Sequence, residues 1–201
     1  MKLYLKPGAC SLSPHIVLEE AGLKYETEVV DLQKKVTASG QDYWKINPKG
    51  YVPALQLDDG DVITEGPAIL QYLADQVPDK KLAPANGTLE RYRLQTWLTF
   101  IGTELHKTFS PFFNPATPAE WKAMCRANLE RRFGYVAEQL AGRDYLMGAE
   151  FSVADAYLFT VMRWAKYIEL ELSQWPALAA YQARVAARPA VVAAMQAEGL
   201  L

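Results

Sequence analysis

Residues 1–80 alternate between short strand-like runs and stretches in which apolar positions have helical spacing. Strands are predicted where apolar and polar side chains alternate, and helices where apolar side chains recur every three or four positions. A strand–helix–strand order predicts a parallel pair, and the turn signal Asp58-Asp59-Gly60 predicts an antiparallel hairpin. The patterns therefore indicate a small mixed sheet with helices packed on it. The predicted elements are strands at Leu3–Leu5, Tyr25–Val30, Val52–Leu57 and Val62–Thr64, a helix at Pro14–Ala21 that Gly22 ends, and a helix with Pro67 in its first turn.

Beyond residue 88 the apolar positions follow helical spacing, and no stretch alternates as a strand would. Pro78, Pro84 and Gly87 lie between the two kinds of pattern, as is typical of a linker. We therefore predict a first domain over residues 1–80, a linker over 81–88 and an all-helical domain over 89–201. The predicted helices of this bundle are Leu89–Phe109, Pro118–Leu140, Val153–Tyr167 and Pro176–Arg188.

The composition fits a globular protein and argues against two classes of partner. Half of the 201 residues are hydrophobic, which is enough for a substantial core. The formal net charge is −2 with both signs interspersed, so neither a nucleic-acid surface nor a polybasic membrane patch is expected. No apolar run has the length of a signal peptide or a membrane span, and the two cysteines lie far apart. A reducing cytoplasm is therefore the expected compartment.

Cys10 stands out because it falls between the first predicted strand and the first predicted helix. Ser11 or Ser13 is expected to cap that helix, which places Cys10 at a helix N-terminus. Free N–H groups and the positive end of the helix dipole favour a thiolate there. From this pattern alone, a small buried cysteine without a role is the alternative. With His15 and His106 as the only histidines, no cluster has the spacing of zinc ligands.

Five segments of the sequence together resemble the bacterial beta class of the glutathione S-transferases. They are KPGACSLSPHI, NPKGYVPAL, TEGPAIL, TELHKTFSP and FSVADAYLF, and the match extends over essentially the whole chain. Cys10 before the first helix and His106 in the long helix distinguish this class from those that use tyrosine or serine. The resemblance implies a thioredoxin-like N-terminal domain, an all-α C-terminal domain, a homodimer, and glutathione as co-substrate without a metal.

The resemblance also assigns a glutathione site, in which each residue meets a need of an anionic tripeptide with a thiol. Val52 and a cis-Pro53 would offer backbone groups to the cysteinyl part, as an added strand does. Lys35 would neutralise the glycyl carboxylate, and Glu65 would bind the α-ammonium of the γ-glutamyl part. Taken singly, these residues also fit a loop proline, a surface lysine and a solvated glutamate. The assigned glutathione contacts are Ala9, Cys10, Lys35, Val52, Pro53, Glu65, Gly66, Thr99, Thr103, Glu104 and His106.

Two of these positions depart from the pattern that the family leads us to expect. Gly66 stands where related proteins often carry serine, so its backbone N–H must bind the γ-glutamyl carboxylate without a hydroxyl. Thr99 stands where an asparagine is expected, so one amide contact is replaced by a hydroxyl or lost. Glu104 is expected to contact glutathione either in its own subunit or across to the partner subunit.

Cys10 and His106 are the expected catalytic residues, and two chemistries stay open for them. In conjugation, they help to hold glutathione as the thiolate that attacks an electrophilic carbon. In disulfide exchange, Cys10 itself forms a mixed disulfide that a further glutathione resolves. The leading hypothesis is conjugation to small hydrophobic electrophiles, with some thiol-transferase or peroxidase capacity. Outside the enzymes, a non-catalytic carrier and a regulatory module are the alternatives.

Two features of the helical half are assigned mainly to folding. Ser152 and Asp155 have the spacing of a capping box, and Phe151 with Ala156 that of a hydrophobic staple. Several aromatic residues are expected either to pack in the core or to border a pocket for a hydrophobic co-substrate. They are Phe109, Phe112, Phe113, Trp164 and Tyr167.

Overall fold

The computed structural model describes all residues from Met1 to Leu201. They form two compact units: the first unit comprises Met1–Ala83 and Ala187–Leu201, and the second unit comprises Pro84–Ala186. The first unit contains a five-stranded mixed sheet with helices, and the second unit is helical. The predicted fold class, a thioredoxin-like domain with a helical bundle, is therefore confirmed.

The sheet of the first unit consists of β1 (Lys2–Leu5), β2 (Glu26–Asp31), β3 (Val36–Thr37), β4 (Ala54–Gln56) and β5 (Val62–Thr64). The strand order is β3-β2-β1-β4-β5. β1 and β2 are parallel, with Leu3 opposite Thr27, whereas all other neighbours are antiparallel. The parallel pair and the hairpin were both predicted, but the two-residue strand β3 is too short for an alternating pattern to reveal it.

Eight α-helices complete the fold. They are α1 (Leu12–Ala21), α2 (Gly66–Asp75), α3 (Leu89–Phe100), α4 (Lys107–Phe109), α5 (Ala119–Leu140), α6 (Val153–Met162), α7 (Pro176–Ala186) and α8 (Pro189–Ala197). α1 is buried along most of its length because it packs against both α2 and α8. Gly22 ends α1 as predicted, in a left-handed conformation (φ 67°) that glycine adopts without strain.

The C-terminal helix α8 belongs to the first unit, whereas the sequence pattern assigned residues 89–201 to one helical domain. Arg188, just before α8, forms a two-pronged ion pair with Glu20 on α1, with N–O distances of 2.6 and 3.0 Å. Just after α8, the buried Glu198 contacts Nδ1 of the buried His15 at 2.8 Å. An alanine-rich helical pattern indicates that a helix forms but not which surface it packs against, so the pattern could not place this tail.

The apolar spacing predicts one continuous helix from Leu89 to Phe109 in the second unit, but the structure does not show a regular α-helix over this range. Ile101–His106 form a π-helical segment between α3 and α4, in which each turn is wider than in an α-helix. Similarly, α6 ends at Met162 and continues as a 3-10 segment to Ile168. Over one or two turns the apolar spacing fits all three kinds of helix, so the pattern could not distinguish them.

The interior of the second unit contains α6, of which every residue is buried. Asp155 in its first turn accepts hydrogen bonds from the N–H and the hydroxyl of Ser152, at 2.9 and 2.7 Å. The same carboxylate accepts from the N–H of Leu146 at 2.9 Å and from the Tyr181 hydroxyl at 3.0 Å. The predicted capping box is therefore present, and two further donors join it that the sequence does not reveal.

Candidate functional site

Cys10 lies in the loop that joins β1 to α1, directly before the first helical turn. Its side chain is half-buried, and Sγ–H donates to the carbonyl oxygen of Val52 at 3.2 Å. The expectation that Ser11 or Ser13 caps α1 is wrong. Ser11 already has helical backbone angles (φ −63°, ψ −16°), whereas a capping residue is extended so that its side chain reaches the free N–H groups. The Ser11 hydroxyl instead bonds the backbone of Lys6, and the Ser13 hydroxyl donates to the Cys10 carbonyl.

The Val52–Pro53 peptide bond is cis, in agreement with what the family resemblance implies for this proline. Val52 is buried in an apolar cluster against which Ala9 also packs. The carbonyl of Tyr51 just before it accepts hydrogen bonds from the Tyr43 hydroxyl and the Asn47 amide, both at 2.7 Å. Burial raises the pKa of Tyr43 to about 12, so this hydroxyl stays a neutral donor at physiological pH. These two hydrogen bonds from buried side chains hold the loop that contains Tyr51 and Val52 in place.

Glu65 and Gly66 form the start of α2, next to the same loop. The N–H of Gly66, the first helical residue, belongs to a helix N-terminus, where the first N–H groups lack intrahelical partners. A Cβ atom built on Gly66 would lie 4.0 Å from Cγ of Pro53. The Glu65 carboxylate is exposed and pairs with Nζ of Lys49 at 2.6 Å. The sequence pattern predicts no role for Lys49, although this residue belongs to the segment NPKGYVPAL.

Lys35 is not an ordinary surface lysine. Its ammonium group donates to the carbonyl of Gly50 at 2.8 Å and lies 5.4 Å from the ring centre of Trp44 and 5.8 Å from that of Tyr51. Gly50 itself is needed here, because a Cβ atom would lie 2.6 Å from the Trp44 ring and the backbone has a positive φ of 68°. Two aromatic faces and a carbonyl therefore hold the positive charge in place.

The predicted residues of the first unit thus converge on the segment around Val52. This arrangement provides a backbone edge, a positive charge from Lys35, a negative charge from Glu65, a helix N-terminus at Gly66 and the thiol of Cys10. A zwitterionic peptide that carries a thiol has the complementary groups.

Four predicted residues lie in the second unit, on the last turn of α3 and the π-helical segment that follows it. Thr99 and Thr103 are exposed, and the Thr103 hydroxyl donates to the Thr99 carbonyl at 3.0 Å. Glu104 forms an ion pair with Arg132 on α5 at 2.5 Å. The His106 side chain instead contacts Tyr157 on α6, so the structure does not bring the side chains of Glu104 and His106 together.

His106 lies in a corner between two aromatic side chains. Its Nδ1 is 2.6 Å from the hydroxyl oxygen of Tyr157. The Trp164 ring lies 4.9 Å from the imidazole and the Tyr157 ring 5.8 Å, both nearly perpendicular to it. Tyr157 and Trp164 are buried. A role for Tyr157 could not be predicted from the sequence. The capping box already accounts for the segment that contains Tyr157, and no spacing links this residue to His106.

The aromatic residues of the second unit divide between core and surface. Phe109 and Trp164 are buried and meet edge to face at 5.8 Å, as expected for core packing. Phe113 is 53% exposed and Tyr167 is 58% exposed, and Phe113 contacts the rings of both Trp164 and Tyr167. The sequence pattern could not separate these two groups, whereas the structure shows an exposed aromatic surface that continues from Trp164.

Cys10 and Cys125 are both free thiols. No group of three or more histidine, cysteine, aspartate or glutamate side chains is arranged to hold a metal ion. No helix combines the length and the apolar character needed to span a membrane.

Comparisons with known proteins agree with this fold and these segments. The family model of the glutathione S-transferase N-terminal domain matches residues 8–76, and that of the C-terminal domain matches residues 100–189. The glutathione S-transferase GstA of Escherichia coli O157:H7 is 51% identical over 200 residues, and the match covers 100% of both chains. The solved ternary complex of BphK, a bacterial GST, is 62% identical with a TM-score of 0.98. The bacterial beta-class glutathione S-transferase of Sphingomonas chungbukensis is 47% identical with a TM-score of 0.97, and both structural matches also cover 100% of each chain.

The chain therefore belongs to the glutathione S-transferase family, and it is an enzyme that transfers glutathione, its co-substrate. Within the family it is a bacterial beta-class enzyme, as the sequence segments around Cys10 and His106 indicate. The prediction of family, activity and co-substrate is confirmed. The roles of the individual site residues stay predictions.

Proposed function

We propose that this transferase conjugates glutathione to small hydrophobic electrophiles. The observation that carries the proposal is the aromatic surface of Phe113 and Tyr167, which continues through Trp164 to the His106 ring. Exposed aromatic rings offer apolar area to a flat, uncharged molecule. A charged electrophile would lose hydration against these ring faces.

Glutathione would be held by the groups that converge on Val52 in the first unit. Val52 pairs through its backbone with the cysteinyl part, whose N–H takes the place of the Cys10 thiol at the Val52 carbonyl and so leaves that thiol to donate to the bound sulfur. Lys35 binds the glycyl carboxylate. Glu65 binds the α-ammonium, while the N–H of Gly66 binds the γ-glutamyl carboxylate.

In the second unit, Thr99, Thr103 and Glu104 would supply further polar contacts to glutathione. Thr99 and Thr103 are exposed, so their hydroxyls are within reach of a ligand. Glu104 pairs with Arg132, but a carboxylate has two oxygens, and the second can accept from an ammonium group. The role of Glu104 is thus compatible with its ion pair.

The catalytic roles fall to His106 and Cys10. Each would donate a hydrogen bond that stabilises the glutathione thiolate, because a free thiol with a pKa of about 8.5 is only a few per cent ionised at neutral pH. The thiolate sulfur forms a bond to the electrophilic carbon, a leaving group such as halide departs with its electron pair, and the thiol proton passes to water. No metal takes part in this scheme.

Two aryl halides with the same reactive carbon, one uncharged and one bearing an added carboxylate, test the proposed substrate class. We expect the protein to be retained on immobilised glutathione and to conjugate the uncharged compound with a kcat/KM about tenfold higher, after correction for intrinsic reactivity. Equal corrected values for the two compounds would contradict the proposed class. Retention without any turnover would instead indicate a carrier.

Replacing Gly66 with serine is expected to tighten glutathione binding about threefold to tenfold. The new Cβ has room next to Pro53, the backbone φ is not positive, and the hydroxyl can donate to the γ-glutamyl carboxylate. Isothermal titration with glutathione measures the change. Gly66→Ala is the matched control, because it adds the same Cβ without the hydroxyl and should not tighten binding. Equal affinities of the serine and alanine variants would contradict a hydroxyl contact.

A second activity, glutathione-dependent disulfide exchange or peroxide reduction, is favoured by the position of Cys10. Its half-buried thiol lies directly before a helix, where the dipole favours the thiolate. The other cysteine, Cys125, is buried in α5 of the second unit. A mixed disulfide on Cys10 would therefore be resolved by free glutathione.

We also propose that the protein is a homodimer in the cytoplasm. Exposed apolar side chains on α3 and α5, among them Leu89, Tyr92, Trp121 and Met124, offer surface that a second copy could cover. A reducing compartment would keep the Cys10 thiol available. Light scattering coupled to gel filtration checks the mass, and a monomer at micromolar concentration would exclude the dimer.

A further inference from the structure

The hydroxyl oxygen of Tyr157 lies 2.6 Å from Nδ1 of His106. We propose that Tyr157 is a positioning residue that fixes both the ring orientation and the proton arrangement of His106. The inference rests on the proposed function, in which His106 donates a hydrogen bond to the glutathione thiolate.

The position of the Tyr157 oxygen is set by the core of the second unit. Tyr157 is only 2% exposed and belongs to α6, a helix whose residues are all buried. The start of this helix is held by Asp155 through its bonds to Ser152, Leu146 and Tyr181. The oxygen thus approaches His106 from a rigid element, whereas His106 itself is the last residue of the less regular π-helical segment.

This contact selects one of the two flipped orientations of the imidazole. A half-turn of the ring about its bond to Cβ exchanges Nδ1 with a carbon atom, which cannot take part in a hydrogen bond of this strength. The nearly perpendicular rings of Trp164 and Tyr157, at 4.9 and 5.8 Å, further restrict intermediate angles. The hydrogen bond and the two rings therefore favour a single orientation.

The same contact also selects the tautomer of the neutral ring. A phenol hydroxyl is a better hydrogen-bond donor than acceptor, because its oxygen lone pair is partly delocalised into the aromatic ring. When Tyr157 donates to Nδ1, that nitrogen must be the acceptor, and the proton of a neutral imidazole resides on Nε2. His106 then presents an N–H donor for a thiolate sulfur without having to carry a positive charge.

Replacing Tyr157 with phenylalanine removes only the oxygen and tests the inference. The chain has two histidines, so nitrogen NMR of the imidazoles, recorded at a pH where they are neutral, gives separable signals. We expect the wild-type His106 signals to show the Nε2–H form and those of the variant to move toward a mixture of tautomers. We also expect kcat for conjugation to fall about threefold to tenfold with little change in KM for glutathione, as for one lost hydrogen bond.

Tyr181→Phe is the matched control, because it removes another buried hydroxyl that bonds to the same helix through Asp155. This variant should be less stable, but its His106 signals and its kcat should match those of the wild type. Unchanged His106 nitrogen signals in Tyr157→Phe would overturn the inference. A His106→Asn variant with full conjugation activity would refute the proposed role of His106, and the nitrogen signals would still decide separately whether Tyr157 sets the tautomer.

Discussion

Replacing Cys10 with alanine is expected to reduce glutathione-dependent disulfide exchange to the uncatalysed background, whereas conjugation should fall only about tenfold or less. The difference arises because exchange needs the Cys10 sulfur as a reactant, but conjugation uses the sulfur of glutathione. In conjugation Cys10 contributes one hydrogen bond, which is worth about 1 kcal/mol.

The exchange reaction shows why no other residue can substitute for Cys10. Its thiolate attacks a mixed disulfide of glutathione, so that an S–S bond forms between Cys10 and glutathione while the other thiolate leaves. A second glutathione thiolate then attacks this bond, which releases oxidised glutathione and restores the Cys10 thiolate. A disulfide-reduction assay coupled to the consumption of glutathione follows this cycle, and a conjugation assay on the same samples gives the second rate.

Cys125→Ala is the matched control, because it removes the only other thiol, which is buried in α5. We expect this variant to retain both activities. The mass of the native protein before and after reduction adds an independent measurement, since a glutathione adduct should be present in the wild type and in Cys125→Ala but not in Cys10→Ala. Full exchange activity in Cys10→Ala would reject the proposed role of Cys10.

Local patterns were sufficient for four of the five strands but neither for β3 nor for the packing of the tail. The alternation at Tyr25–Val30 located β2 to within one residue, and Val30 is the buried position of this strand. The tail after residue 186 shows only that a helix forms. Its packing on α1 depends on side-chain partners such as Glu20 and Arg188, which lie 168 residues apart.

The candidate site was predicted from the family resemblance, whereas the partners that hold its residues were not. Lys49 lies 16 residues from Glu65, and Tyr157 lies 51 residues from His106. No periodic pattern links residues at such separations, so only the folded structure brings them together. The spacing along α3 also could not reveal the π-helical segment that determines the direction of His106.

Replacing Asp155 with alanine is expected to lower the free energy of unfolding by about 3–5 kcal/mol. The carboxylate accepts four hydrogen bonds, from two groups of Ser152, from the Leu146 N–H and from the Tyr181 hydroxyl. Alanine leaves three of these donors without that acceptor in a site that is fully buried, whereas the Tyr181 hydroxyl keeps its longer contact with the backbone carbonyl of residue 155, at 3.3 Å. Each buried unsatisfied group costs about 1–3 kcal/mol. Burial raises the pKa of Asp155, so the carboxylate is itself disfavoured there, and this partly offsets the loss.

Urea denaturation followed by circular dichroism measures the change, and a lower thermal midpoint should accompany it. Asp144→Ala serves as the control, because it removes an exposed carboxylate that pairs with Arg184 at 3.3 Å and should cost no more than about 1 kcal/mol. If Asp155→Ala does not fold, Tyr181→Phe removes a single donor of the same network and should cost about 0.5–1.5 kcal/mol. A loss below about 1 kcal/mol in a folded Asp155→Ala variant would show that the helix start is held by other contacts, since three unsatisfied donors cannot be accommodated in this interior at so small a cost.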